Sequence, residues 1–132
     1  MADILNPRQL IQLAQSLTRF QMAITDFEIR QYAALNDAQK MELEETLTVL
    51  ATAAGRLYAY SVQLAFEEAE EQLLQIRAAA EGLNKFLKTA RKIQEVLDIV
   101  ESVASLADAI ISHDLEGITM GIDQVIQMVG NN

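Results

Sequence analysis

Apolar side chains recur along this chain at alternating steps of three and four residues, the spacing that lines one face of an α-helix. Leu10, Leu13, Leu17, Phe20, Ile24 and Phe27 form the first stripe. Asn6 and Pro7 stand before it. An asparagine oxygen can cap a first turn, and proline is favoured at the first helical position, so a helix is predicted from about Pro7 to Leu35. Asn36-Asp37-Ala38-Gln39 supplies a turn and a second start, with asparagine and glutamine spaced as in a capping box. Leu43, Leu47, Leu50, Ala54, Leu57, Ser61 and Leu64 continue the alternation. Val62, Phe66, Ala69, Leu73 and Ile76 carry it onward on a shifted stripe, and the next stop is Gly82. Read as one element, this second helix has roughly 44 residues and spans ~66 Å, against ~45 Å for its neighbours. Gly55 is its internal weak point.

A third helix is expected from about Leu83 or Asn84 to Ser112. Its stripe runs through Leu83, Leu87, Ala90, Ile93, Leu97, Val100, Ala104, Ala107 and Ile111. Val96, Ile99, Val103, Leu106 and Ile110 widen the apolar face, so this helix should touch neighbours on two sides. His113-Asp114 is a turn, and a short helix follows from about Leu115 to Val129. Gly117 and Gly121 lower its intrinsic stability and make it depend on docking. The expectation is an all-α chain: one domain over 1–132, an antiparallel bundle of three long helices plus a short C-terminal one. Helix content should exceed about 70%, with no strand.

Composition sharpens this in places. Hydrophobic residues make up 51% of the chain and aromatics 5%, so the core must be built mainly from aliphatic side chains. The formal net charge of −9 argues against nucleic acid as a partner, because phosphate binding rests on Lys and Arg. It also disfavours charge-driven adhesion to anionic lipid. The absence of cysteine removes disulfides, thiolate catalysis and Cys-based zinc sites. Met1 to Gln9 shows no basic region followed by an apolar run, so no secretory signal is expected and the cytoplasm is the default. Residues 46–66 contain a single charge, Arg56, over a length that suits a bilayer. Their threonines, glycine and central arginine point instead to a buried bundle helix.

Charge is uneven. Glu67, Glu68, Glu70 and Glu71 form an acidic knot, and Lys85, Lys88, Arg91 and Lys92 a basic one. A hairpin at Gly82 would bring the two knots side by side as a mutually compensating surface. The same hairpin would place Arg56 opposite Asp108. A guanidinium in an apolar bundle needs an acceptor, so a buried structural ion pair between Arg56 and Asp108 is predicted; the rival is that Arg56 snorkels to solvent along its aliphatic stem.

Catalytic chemistry is hard to find. His113 is the one histidine, no Glu-x-x-His occurs, and bundle di-iron sites need that motif twice. No phosphate loop, dinucleotide fingerprint or Gly-x-Ser-x-Gly elbow is present. We therefore expect no enzyme activity, no catalytic or metal-binding residues and no cofactor. The expected function is non-catalytic interaction or assembly, as a homo-oligomer or with another helical protein, driven by apolar stripes left uncovered on the long second helix. The alternative is an amphipathic protein acting on a membrane or other hydrophobic surface, with Val96 to Val129 opening out of the bundle.

Overall fold

The computed structural model describes residues 3–59, 64–90 and 92–130. Five α-helices occur among them: α1 (Pro7–Arg30), α2 (Asp37–Tyr58), α3 (Ala69–Thr89), α4 (Ile93–Ile111) and α5 (Leu115–Gly130). The all-α expectation holds, at 86% helix. The expected count of three long helices and a short one does not, and a two-residue strand pair was not foreseen. That pair, β1 (Asp3–Ile4) with β2 (Ala65–Phe66), is antiparallel.

Helix starts follow their caps. Asn6 accepts from the Gln9 amide at 2.9 Å while Gln9 Oε1 accepts from the Asn6 amide at 3.0 Å. Asn36 and Gln39 repeat the arrangement at 2.8 and 2.9 Å. Each box satisfies two amides that the first turn leaves without partners. The Asp114 carboxylate accepts from the Gly117 amide at 3.1 Å and caps α5.

The long second helix of the sequence reading is two helices. α2 ends at Tyr58 and α3 begins at Ala69. Leu64 and Phe66, between them, are buried. A stripe that shifts its phase obliges a continuous helix to turn its buried face away from the core, and breaking the helix avoids this. Gly82 lies inside α3, against Val129 of α5. The break falls later, after Thr89, where Lys88 in the last turn suits the negative end of a helix.

Residue pairs fix the directions. Ile4 meets Ala65, Arg19 meets Glu81, and Arg30 donates to the Leu87 carbonyl, so α1 and α3 run the same way. Gln72 with Thr119, and Gly82 with Val129, set α5 along α3. Gly121 against Leu106, and Met128 against Ser102, set α4 opposite to α5. In space α1 touches α2 and α3, α5 touches α3 and α4, and α4 touches α2, which closes a ring. All five helices contribute to one core.

α1, α3 and α5 thus begin at one end of the molecule. Three positive dipole ends gather there, together with Glu67, Glu68, Glu70, Glu71, Asp114 and Glu116. Acids are favoured at such ends, which accounts for the acidic knot without a ligand. The basic knot does not face it. Lys85 and Lys88 lie at the far end of α3, because the hairpin at Gly82 does not form; Arg91 is outside the described residues.

The turn from α4 to α5 carries the one positive-φ residue other than glycine among the described residues, His113 at φ 58°. The Asp114 amide donates to Ala109 O at 2.9 Å and the His113 amide to Ile110 O at 3.3 Å. This is a Schellman ending, whose left-handed position glycine fills most cheaply. His113→Gly should therefore raise stability by about 1 kcal/mol, read from the urea midpoint. A loss would mean that the imidazole makes a contact of its own.

Candidate interaction site

The burial expected of Arg56 and Asp108 does not hold. Arg56 and Asp108 are both exposed. Arg19–Glu81, Arg30–Asp26, Arg77–Glu81 and Lys92–Glu95 form ion pairs elsewhere on the surface. Arg56 reaches solvent from the last turn of α2, where a cation suits the dipole. The premise fails because its helix position faces out, although the neighbouring sequence is apolar. Tyr58, beside it, is also exposed; Tyr60 lies outside the described residues.

The uncovered apolar stripe expected on the second helix is corrected too. Leu43, Leu50, Leu57, Leu64, Phe66 and Ile76 are all buried. The tail half is buried as well, with Val96, Val100, Val103 and Leu106 at 0% exposure. α4 meets neighbours on two sides, α2 and α5, as its wide apolar face predicts.

Exposed large apolar residues are spread over the surface, and two of them lie on one face of α1. Met22 is 66% and Ile29 70% exposed. With the exposed Gln15 and Thr25 and the half-buried Ile11 and Thr18 they form an uncharged line along the helix. A shallow hollow of about 440 Å³ follows Thr18, Gln21, Met22, Thr25, Asp26 and Ile29. The spacing of 11, 15, 18, 22, 25 and 29 is 4-3-4-3-4, the step of a knobs-into-holes seam. The inward stripe of α1, centred on Leu17, Phe20 and Ile24, is fully buried. α1 thus carries two stripes, one covered by the bundle and one open to solvent. Periodicity reading fixes on the stronger stripe, so the second went unnoticed.

Beside this line, between α1 and α3, runs a groove of about 500 Å³. Arg8, Arg19 and Arg77 line it with Glu70, glutamines of α1 and Leu73 and Leu74 of α3.

Titratable chemistry is sparse. Among the described residues no group of three or more His, Asp or Glu side chains could hold a metal ion. No described helix is long and apolar enough to cross a membrane. Glu28 sits between α1 and α2 with Oε2 buried and without a hydrogen-bond partner. Burial first, then the nearby Glu44 charge, raise its carboxyl above the usual range, and Lys40 only partly opposes them. Lys40 lies 3.8 Å from the centre of the Tyr32 ring. Glu71 raises Glu68 similarly, through a hydrogen bond between the carboxyls and through its charge.

A raised folded pKa means that the native state binds the proton more tightly than the unfolded chain. Glu28 therefore destabilises the fold above its folded pKa, and the penalty fades as pH falls through the unfolded value. Glu28→Gln should raise the urea midpoint at pH 7 and lose that advantage near pH 4. An equal difference at both pH values would show that ionisation is not the cause.

No family model, curated protein or solved structure matches the chain.

Proposed function

We propose that this protein is a non-catalytic assembly protein that pairs with a helical chain through the outer face of α1, in the first instance with a second copy of itself. The observation that carries the reading is the open seam. Its spacing is the same in both directions, so two antiparallel copies superpose Ile11 on Ile29, Gln15 on Thr25 and Thr18 on Met22. A two-fold contact needs such a self-complementary patch. Two exposed large apolar residues on an uncharged helix face are a natural pair of anchors for it.

The rival reading, in which 96–129 opens onto a hydrophobic surface, would strip α4 and α5 from the core and expose side chains that are now fully buried. At roughly 1.5–3 kcal/mol for each large aliphatic side chain, the opening costs far more than lending out a face already in solvent.

The test is mass against concentration, by sedimentation, for the wild type and for Met22→Glu. The wild type should move from 14.7 kDa toward twice that value. Met22→Glu should stay monomeric with an unchanged melting temperature, since the position is exposed. A variant that associates like the wild type removes the seam from the account, and a wild type that is monomeric at high micromolar concentration removes self-pairing.

A further inference from the structure

The groove between α1 and α3 concentrates positive charge on an acidic protein. Ten Lys and Arg stand against nineteen Asp and Glu in the whole chain. Among the groove's lining residues, three arginines stand against one acid, Glu70. Charges nearest the groove weigh most, because ionic screening over about 8–10 Å mutes distant ones.

The arginines are differently occupied. Arg8 has no carboxylate partner among the described residues. Arg19 and Arg77 share the Glu81 carboxylate at 3.7 and 3.8 Å, long contacts between side chains that are 44–61% exposed. Exposed pairs of this kind contribute little and exchange readily. A carboxylate arriving from outside can displace Glu81 and take both guanidiniums.

The lining selects the occupant. An α-helix pairs its backbone amides and carbonyls internally, whereas an extended chain offers them to side-chain amides. Gln12 and Gln15 border the groove, and each amide can both donate to and accept from a peptide backbone. Leu73 and Leu74 supply an apolar wall. Arg8 and Arg19 are eleven residues apart, about 16 Å along the helix, which equals five residues of extended chain.

We propose that this groove binds an extended acidic peptide segment of a partner protein, with one carboxylate on Arg8 and a second, five residues away, on Arg19 and Arg77. The groove shares Gln15 with the edge of the α1 seam but neither Met22 nor Ile29, so this goes beyond the assembly reading and does not rest on it.

The probe is a fluorescein-labelled six-residue peptide with glutamate at both ends and alternating serine and threonine between, its binding followed by anisotropy. Arg8→Glu should weaken binding by about tenfold or more, as expected for loss of a charge-assisted contact and its replacement by repulsion. Glu81→Gln removes the internal competitor and should strengthen binding several-fold, a gain that misfolding cannot produce. The same peptide with glutamine at both ends should bind at least about tenfold more weakly. Equal binding of the two peptides, no effect of Arg8→Glu, or weaker binding by Glu81→Gln would each overturn the proposal. So would tighter binding of a helical peptide carrying glutamates eleven residues apart. Full displacement by millimolar inorganic phosphate would reduce the groove to a simple anion site and overturn it too. Met22→Glu should bind the probe like the wild type, so the assembly reading and this one can fail separately.

Discussion

Phe66→Ala should lower the unfolding free energy by about 3–5 kcal/mol, the cost of emptying a large aromatic site in a closed core. The position belongs to a connection between helices, where substitutions are ordinarily tolerated. Here the side chain is fully buried, with Leu5 and Leu64 beside it in sequence and pairing, at 3% and 2% exposure. The backbone reinforces the site: the Leu5 amide donates to Leu64 O at 2.9 Å, next to the Ile4–Ala65 and Asp3–Phe66 pairs. This clip ties the starts of α1 and α3 together and accounts for their common direction. Urea unfolding reads the loss, and Ala65→Ser, on the exposed side of the same strand, is the control that should cost little. A Phe66→Ala cost below about 1 kcal/mol would mean that this segment is not core. Native stability is about 5–15 kcal/mol for most domains, so the expected loss is a large share of the whole.

Gly121→Val should be the second severe change, at about 2–3 kcal/mol. A Cβ at this position would stand 3.1 Å from Leu106 Cβ and Cδ1 and 3.2 Å from Leu106 Cα. The Cα is backbone of α4, and Leu106 is fully buried, so neither helix can yield locally. The intrinsic gain from replacing glycine in a helix, a few tenths of a kcal/mol for valine, is overwhelmed. Gly55 provides the opposite case. A Cβ there meets nothing within 4 Å, so Gly55→Ala should stabilise the protein by about 0.5–1 kcal/mol through helix propensity alone. Both changes are read by chemical unfolding. Equal signs at the two positions would contradict the close approach of α4 and α5.

Local signals in the sequence were strong where one residue type has one physical role. Asn6 with Gln9 and Asn36 with Gln39 marked helix starts, and the buried stripe of α1 was legible position by position. His113-Asp114 was readable as a turn. The break between α2 and α3 was written more faintly. The stripe shifts phase near Val62, and Glu67 to Glu71 is a first-turn composition, but no proline, glycine or side-chain cap announces it. Glu68 caps α3 without a side-chain hydrogen bond. Gly82 misled because glycine serves close packing as well as turning, and only the position of Val129 tells which. Arg56 misled for a related reason: an apolar neighbourhood in sequence says nothing about which way one helix position faces. Neither the α1–α3 groove nor the partnership of those helices was readable, since both depend on residues more than fifty positions apart.

The most direct test of the assembly reading is a pair of single-cysteine chains, Ile11→Cys and Ile29→Cys, in a protein that has no cysteine of its own. The proposed antiparallel seam would set residue 11 of one copy against residue 29 of the other. It separates the two copies' residues 11 by about 27 Å, far beyond the ~7 Å between Cα atoms that a disulfide can span. Under mild oxidation the mixture should give the 11–29 heterodimer in preference to either homodimer. Crosslinks that form as readily within each chain type, or not at all, would contradict the pairing of α1 with α1.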